Sequence, residues 1–252
     1  MNYLSVCAIV KNEAPYIKEW IHYHTKLGVE RFYIYENYSD DTTLKVLNNL
    51  VELDYPIEIN QVAGCPAQFT AYQLCLEKHR HNSRWITFID VDEFIVPRYP
   101  FRELLKEYEG YPALAMHWRL FGSNSWKHYE DKPVVERFTK RQIDVNPHIK
   151  CFVDPKRTGA CFTPHRFIHD AAIVDENYIT IPNNEATPEG GTCDLIQLNH
   201  YATKSYEECM ARRSRPRSDT GTTRNAEEFF LCHDRNEVED YKAADIWKMD
   251  IV

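Results

Sequence analysis

A chain of 252 residues with 43% hydrophobic and 27% charged side chains has ordinary globular composition and the length of one large domain, which excludes a disordered polypeptide. A formal net charge of −8 argues against a nucleic-acid surface as the main partner. No run approaches the roughly 20 apolar residues of a spanning helix, the apolar start ends at Lys11-Asn12-Glu13 without a basic leader, and the eight cysteines contain no C-x-x-C pair, which together point to a cytoplasmic protein with reduced thiols and no membrane span.

Leu4 to Val10 is a continuous apolar run, as in a strand buried on both faces. Pro15 suits a first helical turn. Ile17, Trp20, Ile21 and His24 then share one helical face, and Gly28 is a C-terminal stop. Arg31 to Tyr35 reads as a second strand. Thr42 to Leu50 reads as a helix, with Leu44, Leu47 and Val51 at inward spacing. Ile57 to Val62 reads as a third strand. A helix follows with Phe69, Tyr72 and Leu76 inward, then a fourth strand from Trp85 to Ile89 that runs into Asp90. Strands alternating with helices imply a mostly parallel central sheet flanked by helices, and such sheets bind ligands beyond the carboxyl ends of their strands. Polar clusters stand at three of those ends: Lys11-Asn12-Glu13, Glu36 to Asp41, and Asp90-Val91-Asp92-Glu93.

The middle of the chain is strand-rich: Ala113 to Phe121, Val134 to Phe138 and Ile149 to Val153. Pro182 to Thr192 reads as a turn-rich loop, Leu195 to Tyr201 as a further strand, and Ser205 to Arg213 and Glu237 to Trp247 as helices. Between these two helices lies a basic stretch, Arg212-Arg213-Ser214-Arg215-Pro216-Arg217, in an acidic protein. One domain over 1–252 is expected, with a nucleotide-binding half at 1–95, an acceptor-side half at 96–203, and C-terminal helices with a lid at 204–252.

The sharpest motif is Trp85-Ile86-Thr87-Phe88-Ile89-Asp90-Val91-Asp92-Glu93-Phe94. Alternate residues of an extended chain point the same way, so Asp90 and Asp92 are expected to face one point, with Val91 turned into the core. Two carboxylates at a strand end suit Mg²⁺ or Mn²⁺ and leave positions open for phosphate oxygens. A cation bridging a diphosphate neutralises charge on the leaving group. Two other readings of the pair are a plain strand-end cap and an aspartyl nucleophile. The second usually precedes Gly-Thr or Gly-Val early in a domain, whereas Glu93-Phe94 follows here.

In this setting the chain resembles family 2-type glycosyltransferases, and more closely the glycosyltransferase family 92 group. The residues that carry the resemblance begin with Val10-Lys11-Asn12-Glu13, Glu19-Trp20-Ile21-His22-Tyr23-His24, Leu27-Gly28-Val29 and Tyr35-Glu36-Asn37 with Ser39-Asp40-Asp41. Gln68, Ile89 to Phe94, Trp118 with Phe121-Gly122-Ser123, and Leu198-Asn199-His200-Tyr201 with Lys204-Ser205 continue it. The set spans roughly the first four-fifths of the chain; each piece alone is weak, and their order makes them specific. The resemblance implies a GT-A fold and an inverting, metal-dependent transfer of a sugar, galactose being one candidate, from a UDP-sugar to a glycan or lipid-linked sugar. Lys11, Asn12, Glu13, Glu36, Asp40, Asp41 and Gln68 would hold the nucleotide, although family members usually carry Asp-Asn where Glu36-Asn37 stand. Asp90 would approach the ribose or a metal-bound water, Asp92 would bind the metal directly, and His200 would complete the metal site of Asp90, Asp92 and His200.

Lys204, Arg212 and Arg213 are the phosphate candidates, the last two on a lid that clamps the diphosphate. The catalytic base is expected among Asp170, Glu136 and Asp194, and Trp118, Phe121 and Trp126 are expected to stack on sugars. A non-catalytic nucleotide- or glycan-binding module of the same fold is the alternative. A nucleotidyltransferase is disfavoured, because no glycine-rich loop follows Val10.

Overall fold

The computed structural model describes residues 1–181 and 190–249, so most of the loop expected over Pro182–Thr192 lies outside the described residues. The chain opens with β1 (Asn2–Val10), α1 (Ile17–Lys26), β2 (Arg31–Glu36), α2 (Thr43–Glu52), β3 (Ile57–Gln61), α3 (Gln68–His79) and β4 (Ser83–Phe88). β1 runs parallel to both β2 and β4, and β2 runs parallel to β3. Leu4, Val6, Cys7, Ala8 and Val10 are all buried, which explains why β1 is apolar at successive rather than alternate positions.

The second half adds β5 (Glu93–Pro97), α4 (Phe101–Lys106), β6 (Ala113–Leu120), α5 (Val134–Arg137), β7 (Lys140–Arg141) and β8 (Asn146–Val153). It continues with β9 (Thr158–Thr163), β10 (Arg166–His169), β11 (Ile173–Val174), β12 (Thr180–Ile181) and β13 (Ile196–His200). The chain closes with α6 (Tyr206–Arg213), α7 (Ala226–His233), β14 (Val238–Glu239) and α8 (Lys242–Lys248). β8 enters the sheet antiparallel to both β4 and β6, giving the order β12-β11-β6-β8-β4-β1-β2-β3. β13 joins parallel to β6 and antiparallel to β5. The result is the mixed α/β architecture expected, parallel through the first four strands and mixed beyond them.

Helix α1 fixes the ground on which the acidic motif stands. Its buried face is Ile17, Trp20, Ile21, Tyr23 and His24. Trp20 Nε1 donates to the Glu93 carbonyl at 2.8 Å, and the Tyr23 hydroxyl donates to the Ile95 carbonyl at 3.0 Å. Burial lowers the pKa of His24 to about 3, so its ring is neutral. One ring nitrogen then donates to the Trp20 carbonyl at 2.9 Å while the other accepts from the Ile95 amide at 3.3 Å. Three aromatic side chains of one helix thus satisfy the backbone of β5 directly after the acidic turn.

Four expectations are corrected. In α2 the inward face is Thr43, Leu47 and Leu50, and Leu44 and Val51 point outward, because the buried Thr43 hydroxyl, which accepts from the Glu13 amide at 2.8 Å, sets the helix register. In α3 the inward face runs Gln68, Ala71, Tyr72, Cys75, Leu76 and His79, leaving Phe69 partly exposed. Glu237–Trp247 divides into β14 and α8, and α7 precedes them. Val134–Phe138 is the short helix α5 rather than a strand. There the Glu19 carboxylate accepts from the amides of Val134 at 2.8 Å and Val135 at 3.1 Å, and this external cap overrides the β preference of two valines.

Burial raises the Glu19 carboxyl from its ordinary 4.5 to about 7, against the pull of the Val134 and Val135 amides and the Arg137 charge. A carboxyl raised in the folded state contributes stability below its unfolded value and loses that contribution as pH climbs to the folded one. The stability of the wild type relative to Glu19→Gln is therefore expected to fall by up to about 3 kcal/mol between pH 4.5 and 7. Urea midpoints across that range measure it; a difference that does not change with pH would dissociate Glu19 from the effect.

Candidate active site

A cavity of about 470 Å³ opens at the carboxyl ends of β1, β4 and β13, the position expected for a ligand of such a sheet. Asp90, Val91 and Asp92 form its floor, and Glu13, Gln68, Trp118, His165 and His200 stand around them. The acidic motif is a turn here rather than an extended strand. The Glu93 amide donates to the Asp90 carbonyl at 3.0 Å, and the Glu93 carboxylate accepts from the Asp90 amide at 2.8 Å. The turn sends the two aspartates to different neighbours while keeping both at the cavity.

Asp90 faces α3 and β8. Its Oδ1 accepts from Gln68 Nε2 at 2.9 Å and from the Tyr72 hydroxyl at 3.3 Å, and its Oδ2 accepts from Lys150 Nζ at 3.3 Å. Asp92 faces β13. Pairing of β5 with β13 sets His200 opposite Glu93, and the Tyr201 amide donates to the Asp92 carbonyl at 2.8 Å. This brings His200 Nε2 to 3.7 Å from Asp92 Oδ1. Burial works against charge on Asp92, but the neighbouring His200, Lys204 and Arg212 outweigh it and hold the carboxyl well below the usual carboxylate range. Glu93 is wholly buried; desolvation pushes its carboxyl up to about 7 in spite of Lys150.

The opposite wall is cationic. Arg212 reaches Glu13 at 3.6 Å, and Arg213 lies over the Phe229 ring at 3.7 Å. Beyond α6 the chain crosses back over the cavity. Arg215 donates to the Asn12 carbonyl at 3.2 Å, and the Ser218 carbonyl accepts from the amides of Ala67 and Gln68 at 2.9 and 3.0 Å. Arg217, Ser218, Asp219 and Thr220 of this covering segment line the cavity.

Whether a divalent ion fits is decided by the donor set. Among the described residues no group of three or more His, Cys, Asp or Glu side chains is placed to hold a metal ion. The expected trio Asp90, Asp92 and His200 is therefore not assembled here, and Asp90 is engaged by Lys150, Gln68 and Tyr72. The pair of Asp92 and His200 itself fits. A separation of 3.7 Å is too long for a hydrogen bond but suits two ligands of one cation, and one carboxylate with one imidazole is a donor set Mn²⁺ accepts. His200 Nδ1 is buried without a hydrogen-bond partner, which leaves Nε2 as the outlet of the ring.

Residues 2–186 match the family model of glycosyltransferase family 92. The chain belongs to glycosyltransferase family 92. A family 92 protein of Ricinus communis is 28% identical over 211 residues, which is 81% of this chain and 36% of that protein. One from Oryza sativa subsp. japonica is 35% identical over 92 residues, 36% of this chain and 16% of that protein. The chain thus spans little more than a third of the length of these relatives at most. Among solved structures, S. aureus TarS 1–349 is similar at 13% identity over 84% of this chain and 64% of that one, with a TM-score of 0.45. The mannosyltransferase PcManGT from Pyrobaculum calidifontis, in complex with GDP-Man and Mn²⁺, is similar at 19% identity over 46% and 35%, with a TM-score of 0.37.

Of the candidate residues named from the sequence, the cavity gathers Glu13, Gln68, Asp90, Asp92, Trp118, His200, Arg212 and Arg213. Six others stand outside its lining. Lys11 donates to the carbonyls of Asn37 and Tyr38, and Asn12 accepts from the amides of Asp40 and Asp41 while its own amide donates to Ser39. Glu36 is buried and accepts from the amides of Tyr38 and Ser39. Asp41 accepts from Thr43 and Ala14, Asp40 is exposed, and Lys204 is buried with its ammonium over the Tyr16 ring. Asn12, Tyr38 and Lys204 all adopt positive φ, at 57°, 50° and 52°, so these strand-end loops are tightly bent and need such bonds.

The three base candidates do not reach the cavity. Asp170 is paired with Arg157 at 3.0 Å, Glu136 is exposed on α5, and Asp194 is exposed at the start of β13. Phe121 is a core residue packed on Tyr201, and Trp126 packs against Phe138. Trp118 does face the cavity, 4.2 Å from the His200 ring. Lys150, His165, Arg224 and Phe229 escape the sequence reading. Lys150 leaves one signal there, a charge set between Ile149 and Cys151 in an apolar strand.

Proposed function

We propose that this family 92 chain transfers a sugar from a nucleotide-sugar donor to a hydroxyl acceptor, with a divalent cation held by Asp92 and His200. The observation that carries the reading is the Asp92–His200 pair, 3.7 Å apart at the floor of a cavity whose far wall presents Arg212 and Arg213. When bound, the cation supplies Lewis-acid neutralisation of the departing nucleoside diphosphate. Arg212 and Arg213 place guanidiniums where phosphate oxygens then gather, and the covering segment from Arg215 to Thr220 limits the access of water to the transfer. Trp118 offers a flat apolar face for a sugar ring beside His200. In keeping with the resemblance, we take the transfer as inverting, the ion as Mn²⁺, the donor as a UDP-sugar with UDP-galactose first in line, and the acceptor as a glycan or a lipid-linked sugar.

A panel of UDP- and GDP-sugars incubated with the protein and Mn²⁺, Mg²⁺ or EDTA tests this. One donor is expected to be hydrolysed slowly without acceptor and only with a divalent ion. Binding of no nucleotide sugar, or hydrolysis undiminished by EDTA, would defeat the proposal.

A further inference from the structure

Lys150 stands where lysine is rarely found. It lies on β8 between Ile149 and Cys151, its side chain is 1% exposed, and its ammonium sits 3.3 Å from Asp90 Oδ2 and 3.6 Å from Glu93 Oε2. An ammonium taken this far from water is costly unless carboxylates compensate it. Two do, and one of them belongs to the motif that would ordinarily be assigned to the metal. Gln68 and Tyr72 hold the other oxygen of Asp90, so donors from α3 and β8 grip one carboxylate from both sides. A surface lysine would swing away to make room for an ion. This one is enclosed, and lysine presents a compact point charge rather than a fork that shares its partners.

We propose that Lys150 is a positioning residue that takes the place of a cation at Asp90, fixing that carboxylate as a hydrogen-bond acceptor and confining the divalent ion to Asp92 and His200. The proposal rests on the reading that Asp92 and His200 hold a divalent ion, and it adds a division of labour within the acidic turn. Asp90 keeps its geometry whether or not an ion is present, because its partners are built into the fold. The ion then has a two-residue seat completed by groups that come from outside the protein, so its residence is coupled to theirs.

The test is Mn²⁺ binding to the full chain without nucleotide, read from the electron paramagnetic resonance signal of the free aqua ion. Lys150→Met combined with Glu93→Gln removes the buried ammonium together with one of its two carboxyl partners. Relative to Glu93→Gln alone, this double variant is expected to bind Mn²⁺ about tenfold more tightly, because Asp90 becomes a third ligand. Adding Asp90→Asn is expected to erase the gain. Unchanged or weaker affinity in the double variant, or a gain that survives loss of Asp90, would overturn the proposal. A second measurement leaves Lys150 and Glu93 in place. Asp90→Asn in the otherwise native chain is expected to keep Mn²⁺ affinity within about twofold, while Asp92→Asn is expected to lower it at least about tenfold. Equal losses in the two would also overturn it. Nucleotide-sugar turnover plays no part in these readouts, so failure of the transferase reading and failure of this one are separable.

Discussion

Asp92→Ala is expected to lower metal-dependent turnover of the nucleotide sugar by on the order of a thousand-fold, the loss of several kcal/mol of leaving-group stabilisation. The structural reason is that the Asp92 side chain lines the cavity and lies 3.7 Å from His200. Its backbone carbonyl, which accepts from the Tyr201 amide, survives the substitution, so the junction of β5 and β13 is retained. His200→Ala is expected to fall short of that loss, since Asp92 would still hold the ion with one fewer ligand. The two together are expected to cost little more than Asp92→Ala alone, because residues that act as a unit are not additive. Circular dichroism and thermal midpoints close to wild type would confirm that the loss is chemical. Full turnover in Asp92→Ala, with an intact fold, would remove the ion seat from the mechanism.

The part of this fold that can be read in advance is the part where one physical requirement dominates. β1, β2 and β4 are covered on both faces, so runs such as Val6-Cys7-Ala8-Ile9-Val10, Phe32-Tyr33-Ile34-Tyr35 and Trp85-Ile86 are buried in succession and the strands announce themselves. α1 has to bury one stripe, and Ile17, Trp20, Ile21 and His24 mark it. The strand-end clusters were legible as places but not as roles. A bent loop leaves amides in need of acceptors, and Asn12, Glu36 and Asp41 supply them. A carboxylate that caps a turn and one that meets a nucleotide look the same in a sequence. The separation of Asp90 from Asp92 depends on a turn hydrogen bond at Glu93, and alternation along an extended chain cannot foresee it. α5 is out of reach for the same reason, since its cap comes from Glu19, more than a hundred residues earlier. The basic stretch 212–217 was visible as charge. Its docking was not, because the Ser218 carbonyl that meets the start of α3 is a backbone group carried by every residue.

The largest loss of stability is expected from Arg137→Met, at about 3–5 kcal/mol, the usual cost of orphaning one member of a buried ion pair. Arg137 and Glu208 have side chains 1% and 5% exposed, and the guanidinium meets both carboxylate oxygens, at 2.7 and 2.9 Å. Burial works against charge on Glu208, and Arg137 with the Ser205 side chain outweighs it, so the carboxyl lies below its ordinary value. The same carboxylate accepts from the Tyr16 hydroxyl at 2.9 Å and closes the capping box of α6 by accepting from the Ser205 amide at 3.1 Å. One buried acid therefore joins α5, the start of α1 and the first turn of α6. For a chain of this size the expected cost lowers the thermal midpoint by roughly 10 °C. Arg137→Met with Glu208→Leu is expected to recover much of the loss, because the uncompensated charge leaves with its partner. The consequence for the site is specific. α6 delivers Arg212 and Arg213 to the cavity wall and begins the segment that crosses it, so loosening the first turn of α6 should raise the donor KM more than it lowers kcat at temperatures where the variant is folded. Thermal midpoints of the single and double variants, with kinetics at 20 °C, decide the matter; a single variant within about 1 kcal/mol of wild type would show that this pair behaves like an exposed one.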